Sequence, residues 1–211
     1  MAWRRHLRRL IQLYSGLLLY GLAAALQVHA GLGLDPWDVF HQGLARHAGL
    51  AIGTLVIIVG AAVLLLWIPL RQRPGLGTIS NAVLIGVSMN VCLQLLPAPS
   101  LLGWRIGELA VAILLCGVAT GMYIGAHYGP GPRDGLMTGL AARTGRSIRL
   151  VRTCIEATVL VVGWLLGGTV GVGTIAYALC IGPLAQIFLP IFDSEKRAAR
   201  RPVRPELVEA T

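Results

Sequence analysis

The chain has 211 residues, of which 55% are hydrophobic and only 13% charged, about half of the ~25% charge usual in a soluble domain; its mean hydropathy is +0.72. These values exclude a disordered chain, a fibrous repeat and an ordinary soluble globule. The net charge of +9 would suit nucleic acid or a membrane surface. The basic residues are separated by long apolar runs, however, which makes them orientation signals in a bilayer, so no nucleic-acid partner is expected.

Residues 1–9 form a basic N-terminus carrying Arg4, Arg5, Arg8 and Arg9. The first apolar run, 10–30, ends in Val28, His29 and Ala30, as a cleavable signal peptide would, but is long for an h-region and is read as a span. A Gly-rich break follows, then Pro36 at the start of a new helix with Asp38 two residues later. That helix is about a dozen residues long, too short to span and suited to a re-entrant or interfacial position. Apolar runs at 50–70 and 76–96 complete a first unit, 10–97. A span at 105–126 precedes a second Gly-rich break with Pro132 and Asp134, then spans at 148–167 and 171–192, giving a second unit, 105–192. Residues 193–211, with Pro202 and Pro205, read as a disordered basic cytoplasmic tail.

The basic residues set a topology. Arg4, Arg5, Arg8, Arg9, Arg71, Arg73, Arg133, Arg143, Arg146, Arg149, Arg152, Lys196, Arg197, Arg200, Arg201 and Arg204 fall on one side, and only Arg46 and Arg105 on the other. This predicts both termini in the cytoplasm.

The units are related by a shift of 96 residues. Gly33, Pro36, Asp38, Gly43, Leu44, Ala45 and Gly49 match Gly129, Pro132, Asp134, Gly139, Leu140, Ala141 and Gly145. Gly75, Gly77, Thr78, Ala82, Ile85 and Gly86 match Gly171, Gly173, Thr174, Ala178, Ile181 and Gly182. Three spans per unit is an odd number, so the second copy enters the membrane from the opposite side. The expected fold is all-α: a polytopic membrane bundle of six transmembrane helices built as a 3+3 inverted repeat, each repeat with one short helix. Such repeats recur in transporters, with the site where the copies meet.

Candidate substrate-binding or coupling residues follow from position and chemistry. Trp37, Asp38 and His41 lie on the first short helix, with Arg133 and Asp134 on the second. Helix starts gather free N–H groups and partial positive charge, while the carboxylates offer cation or proton sites. Asp35 followed by Asp38 also reads as an N-cap and an N3 acid serving their own helix. Glu156 sits inside a span with Arg152 one turn earlier, as an ion pair or a proton site. Glu108 reads as an interfacial partner of Arg105. Asn90 and its repeat equivalent Gln186 line a pathway or join helices. Gly33, Pro36, Gly43, Gly129, Pro132 and Gly139 form the loop and helix-start motif. Gly117, Gly121, Gly125, Gly163 and Gly167 bring helices close, within one chain or in a homodimer. Cys92, Cys116, Cys154 and Cys180 have neither zinc nor disulfide spacing and read as packing residues. No metal, cofactor or catalytic constellation is expected.

The Gly31–Gly49 segment with its Pro36, Trp37, Asp38 core, Gly53, the Ile68–Thr78 stretch and the Gly129–Arg152 loop resemble the YczE/YyaS-like family of bacterial integral membrane proteins. The resemblance spans most of residues 10–190, although Asp35 stands where that family would have glycine. It implies a multi-pass protein of the bacterial plasma membrane whose function is unassigned. The expected function is a small-molecule or ion permease working by alternating access, in contact with lipid and an unidentified substrate. The alternative is a non-transporting accessory protein that scaffolds a biosynthetic or signalling partner. A polar cavity touching both the Pro36 and Pro132 helix starts favours transport. Short helices lying flat around a dry centre would count against it.

Overall fold

The computed structural model describes residues 2–97 and 101–194, and these contain helices and no strand. In chain order the helices are α1 (Ala2–Ala30), α2 (Pro36–Ala48), α3 (Ile52–Trp67), α4 (Leu76–Leu95), α5 (Leu102–Gly125), α6 (Pro132–Thr144), α7 (Ile148–Leu165) and α8 (Val172–Phe192). The basic N-terminal stretch is continuous with α1 from Ala2 onward, and the expected tail lies outside the described residues from 195.

Four helices, α1, α4, α5 and α8, are long and apolar enough to cross a membrane, and α2 with α3 forms a fifth candidate as a pair bent by 111°. Six apolar runs therefore yield four to five spans by this criterion. With 16 residues, α3 rises only ~24 Å against a ~30 Å hydrocarbon core. In α7, the 18 residues include Arg149, Arg152 and Glu156. The molecule turns aliphatic side chains outward, among them Ile58, Leu65, Val161, Leu165, Ile175 and Leu179, while Asp35, Asp38, His41, Thr78 and Ser88 are buried. An apolar surface of this extent calls for hydrocarbon around it.

Helix boundaries recur at the 96-residue offset: α2 maps onto α6, and the starts of α3 and α4 map onto those of α7 and α8. The contacts recur too, crossing between halves. Gly77 N–H donates to the Tyr128 carbonyl and Gly173 N–H to the Leu32 carbonyl, both at 2.8 Å. The following residues, Gly33 and Gly129, have φ of +120° and +114°, which glycine tolerates best. A Cβ on either would meet Thr174 Oγ1 at 2.9 Å or Thr78 Oγ1 at 2.8 Å.

The longest helices, α1 and α5, pack antiparallel, each ending on the other's arginine. Arg9 Nε donates to the Ala126 carbonyl at 2.9 Å and Nη2 to that of His127 at 3.2 Å. Arg105 Nε donates to the Ala30 carbonyl at 2.7 Å and Nη2 to that of Gly31 at 3.1 Å. Terminal carbonyls have no partner inside their own helix, and a cation satisfies both them and the helix dipole. Arg46 similarly donates to the Gly167 carbonyl beyond α7. The two exceptions in the charge count, Arg46 and Arg105, thus both serve helix C-termini. The expected Arg105–Glu108 pair does not form: Glu108 Oε2 lies 2.9 Å from His29 Nδ1.

The glycine row of α5 is a packing surface within the chain. Cβ atoms on Gly117, Gly121 and Gly125 would lie 2.7, 2.8 and 2.6 Å from atoms of Leu184, Phe188 and Phe192 on α8. One crossing separates the halves. Where α3 crosses α4, a Cβ on Gly53 would lie 2.1 Å from the Gly86 carbonyl oxygen and one on Gly86 would lie 2.2 Å from that of Gly53. The equivalent α8 position, Gly182, has nothing within 4 Å, and α7 makes no extensive contact with α8.

Candidate functional site

The short helices α2 and α6 carry the site. Each follows a Gly-rich break, opens on proline at its first position and closes on a left-handed glycine, Gly49 at φ 66° and Gly145 at φ 67°. Proline presets the helical φ where no N–H is needed, and glycine accepts the left-handed turn that ends the helix. Their starts meet in the interior, where Trp37 of α2 shares an apolar cluster with Trp67 of α3 and Met137 of α6. Gly135 provides the room: a Cβ there would lie 1.9 Å from the Trp67 ring, whose Nε1 donates to the Pro132 carbonyl at 3.1 Å.

The two starts are chemically unlike. Asp35 caps α2, its Oδ1 accepting from Trp37 N–H at 2.8 Å and Asp38 N–H at 3.0 Å. Gly131 caps α6 without a side-chain bond. From α6, the Arg133 guanidinium reaches across to α2. Its nitrogens lie 3.8 Å from Asp35 Oδ1 and 3.5 Å from Asp38 Oδ1, and its Cζ lies 5.1 Å from the Trp37 ring centroid. Asp38 Oδ1 is also 3.0 Å from His41 Nδ1. The same ring nitrogen lies 3.5 Å from Arg133 Nη2, so the imidazole touches both the carboxylate and the guanidinium. Asp134 turns the other way, its Oδ2 accepting from the Tyr123 hydroxyl at 2.8 Å.

These groups surround a cavity lined by Tyr20, Trp37, His41, Tyr123, Arg133 and Asp134, together with aliphatic residues of α3 and α4. About 70 Å³ is open to the centres of water-sized molecules, which is room for several waters or a small solute, since one water needs ~10–15 Å³ on this measure. Two carboxylates, Asp35 and Asp38, lie against the one guanidinium, and a third, Asp134, is held apart by Tyr123. Buried charge in a membrane protein is costly and is kept where paired or used.

Of the candidates, Trp37, His41, Arg133 and Asp134 line the cavity, with Pro132 in the wall; Asp38 lies behind His41 and Arg133, and Pro36 opens α2. Gly43 and Gly139 instead seat neighbouring elements: a Cβ on Gly43 would lie 2.7 Å from the Gly163 carbonyl oxygen, and one on Gly139 would lie 2.9 Å from Gln72 Cγ. Asn90 joins helices, its Oδ1 accepting from Gly53 N–H at 2.8 Å and its Nδ2 donating to Thr54 Oγ1 at 3.2 Å. Gln186 is exposed on α8. Glu156 pairs with Arg152 at 2.8 Å, the two side chains 31% and 52% exposed, away from the cavity. Among the described residues no group of three His, Cys, Asp or Glu could hold a metal ion.

Tyr20 and Tyr123, whose rings meet edge to face at 6.2 Å, were not singled out from sequence. The 96-residue offset offers a signal for Tyr20. Its equivalent is Cys116, which is buried with its Sγ 3.7 Å from the Tyr177 hydroxyl, and the equivalent of Tyr177 is the wall residue Asn81.

An all-helical architecture, several apolar spans and a buried polar cluster define a multi-pass membrane protein. The chain belongs to the family of unknown function DUF6198, whose model matches residues 7–190. It is 39% identical over 189 residues to an uncharacterised protein of Haemophilus influenzae, covering 90% of this chain and 87% of the relative. It is 35% identical over 179 residues to the uncharacterised membrane protein YczE of Bacillus subtilis (84% and 83% covered) and 26% identical over 182 residues to the uncharacterised protein YyaS of the same organism (84% and 90% covered). The chain is thus of the YczE/YyaS-like kind that its motifs suggest. No solved structure matches it significantly.

Proposed function

We propose that the protein is a small-molecule permease of the bacterial plasma membrane, without enzymatic chemistry, working by alternating access between two inverted three-span repeats. Both termini lie in the cytoplasm, α2 and α6 are re-entrant, and their starts hold the substrate near the bilayer midplane. The observation that carries this reading is the polar cavity touching the starts of both short helices. The difference between the halves supports it. The α3–α4 crossing is closed through Gly53 and Gly86, while the equivalent α7–α8 position is open at Gly182. Related units in two arrangements are what exchange of access requires.

Flux into proteoliposomes across a metabolite panel, with and without a proton gradient, tests the function. A solute should enter in a protein-dependent way, and Asp38→Asn and Asp134→Asn should each abolish that flux. Undiminished flux in either variant would remove that carboxylate from the mechanism, and no flux for any solute would favour an accessory role. Cysteines introduced at Arg46 and Arg143 should react with impermeant reagents from opposite faces; reaction from one face would refute the inversion.

A further inference from the structure

The cavity has two unlike walls, and together they name a ligand class for the site of the proposed permease. On the α2 side are Arg133 and the Trp37 indole. Trp37 is 6% exposed, and its Nε1–H is buried without a hydrogen-bond partner. The neighbouring indole of Trp67 has found a carbonyl, so the free donor is not a general feature of this wall. The carboxylates behind Arg133 sit at 3.8 and 3.5 Å and His41 Nδ1 at 3.5 Å, all too far for good hydrogen bonds. The guanidinium therefore keeps donors for a better-placed acceptor. On the α6 side are Asp134 and Asn81. A Cβ on Gly131 would meet Asp134 Oδ2 at 3.2 Å, Asn81 Nδ2 at 3.3 Å and Asn81 Oδ1 at 3.4 Å, which places the carboxylate and the amide, with its acceptor oxygen, beside the start of α6.

We infer that the cavity binds a small zwitterion, with its carboxylate on Arg133 and Trp37 Nε1 and its ammonium on Asp134 and the Asn81 carbonyl oxygen. A lone anion would add charge beside a guanidinium already faced by Asp35 and Asp38, with Asp134 across the cavity. A lone cation would leave the buried Trp37 donor without an acceptor, and an unmade buried hydrogen bond is expensive. A zwitterion adds no net charge and fills both needs. The cavity has room for the smallest amino acids.

The test is equilibrium binding to the full chain in lipid nanodiscs, using glycine and alanine against propionate and ethylamine. Alanine should bind at least about tenfold more tightly than either single-charge probe, the scale of one charge-assisted hydrogen bond. Trp37→Phe keeps the ring and removes the donor, so it should weaken alanine about tenfold with an unchanged melting temperature. Equal binding of propionate or ethylamine overturns the inference, as does an unaffected Trp37→Phe or absence of glycine and alanine binding in cooperatively melting protein. Because binding is read without flux, the two readings separate. Alanine binding without flux of any solute defeats the permease alone, whereas flux of another solute without amino-acid binding defeats the ligand class alone.

Discussion

Arg133→Gln is expected to destabilise the protein by about 3–5 kcal/mol, the usual cost of leaving a buried charge without its partner. Asp35 and Asp38 are only 3% and 2% exposed, and Arg133 is the cation placed against both. Glutamine retains hydrogen-bonding capacity but not the charge, so two carboxylates in a water-poor interior would repel each other. Asp35 also holds the first N–H groups of α2, so strain in the cluster should spread to that helix start. Adding Asp38→Asn should recover a large part of the loss, because a neutral amide can hydrogen-bond His41 in either tautomer while removing one of the repelling charges. Thermal melts of the single and double variants in detergent provide the cycle. If Arg133→Gln melts with the native protein, the guanidinium does not neutralise the cluster.

Gly86→Val and Gly182→Val are expected to differ sharply although their positions are equivalent in the repeat. At Gly86 a Cβ would lie 2.2 Å from the Gly53 carbonyl oxygen. Backbone cannot rotate away as a side chain can, so α3 and α4 must separate, taking with them the Asn90 bonds to Gly53 and Thr54. The cost should reach or exceed the ~1–3 kcal/mol of ordinary overpacking, seen as lost monodisperse protein or a lowered melting temperature. At Gly182 the added side chain enters open space, and replacing glycine inside a helix removes its conformational penalty. The folded yield there should match or exceed that of the native chain. Similar losses at the two positions would mean that α7 and α8 are packed in solution.

Much of this organisation is legible in the residues because it is local or periodic. Pro36 and Pro132 after glycine breaks mark the two short helices, and Gly49 and Gly145 mark their ends. The Gly77–Tyr128 and Gly173–Leu32 bonds join positions equivalent at the 96-residue offset, so each implies the other, but that these positions pair at all comes from the packing. Hydropathy is less decisive for α3 and α7, where short length or charge places an apolar run below the requirement for a span. Side-chain partners are the least legible. Glu108 has Arg105 three residues away yet pairs with His29 from another helix. Asn90 resembles a pathway residue but ties α4 to the start of α3.

Composition, charge placement and the internal repeat by themselves determined a helical membrane protein of related halves with two short proline-started helices, because hydrophobic length, glycine and proline act within a few residues of where they stand. Only the tertiary structure decided that those helix starts face each other, that Arg133 of one answers Asp35 and Asp38 of the other, and that the minority-side arginines, Arg46 and Arg105, serve helix ends. Such pairings depend on which segments pack together. They are selected by the need to satisfy charges and backbone groups that have no water to turn to.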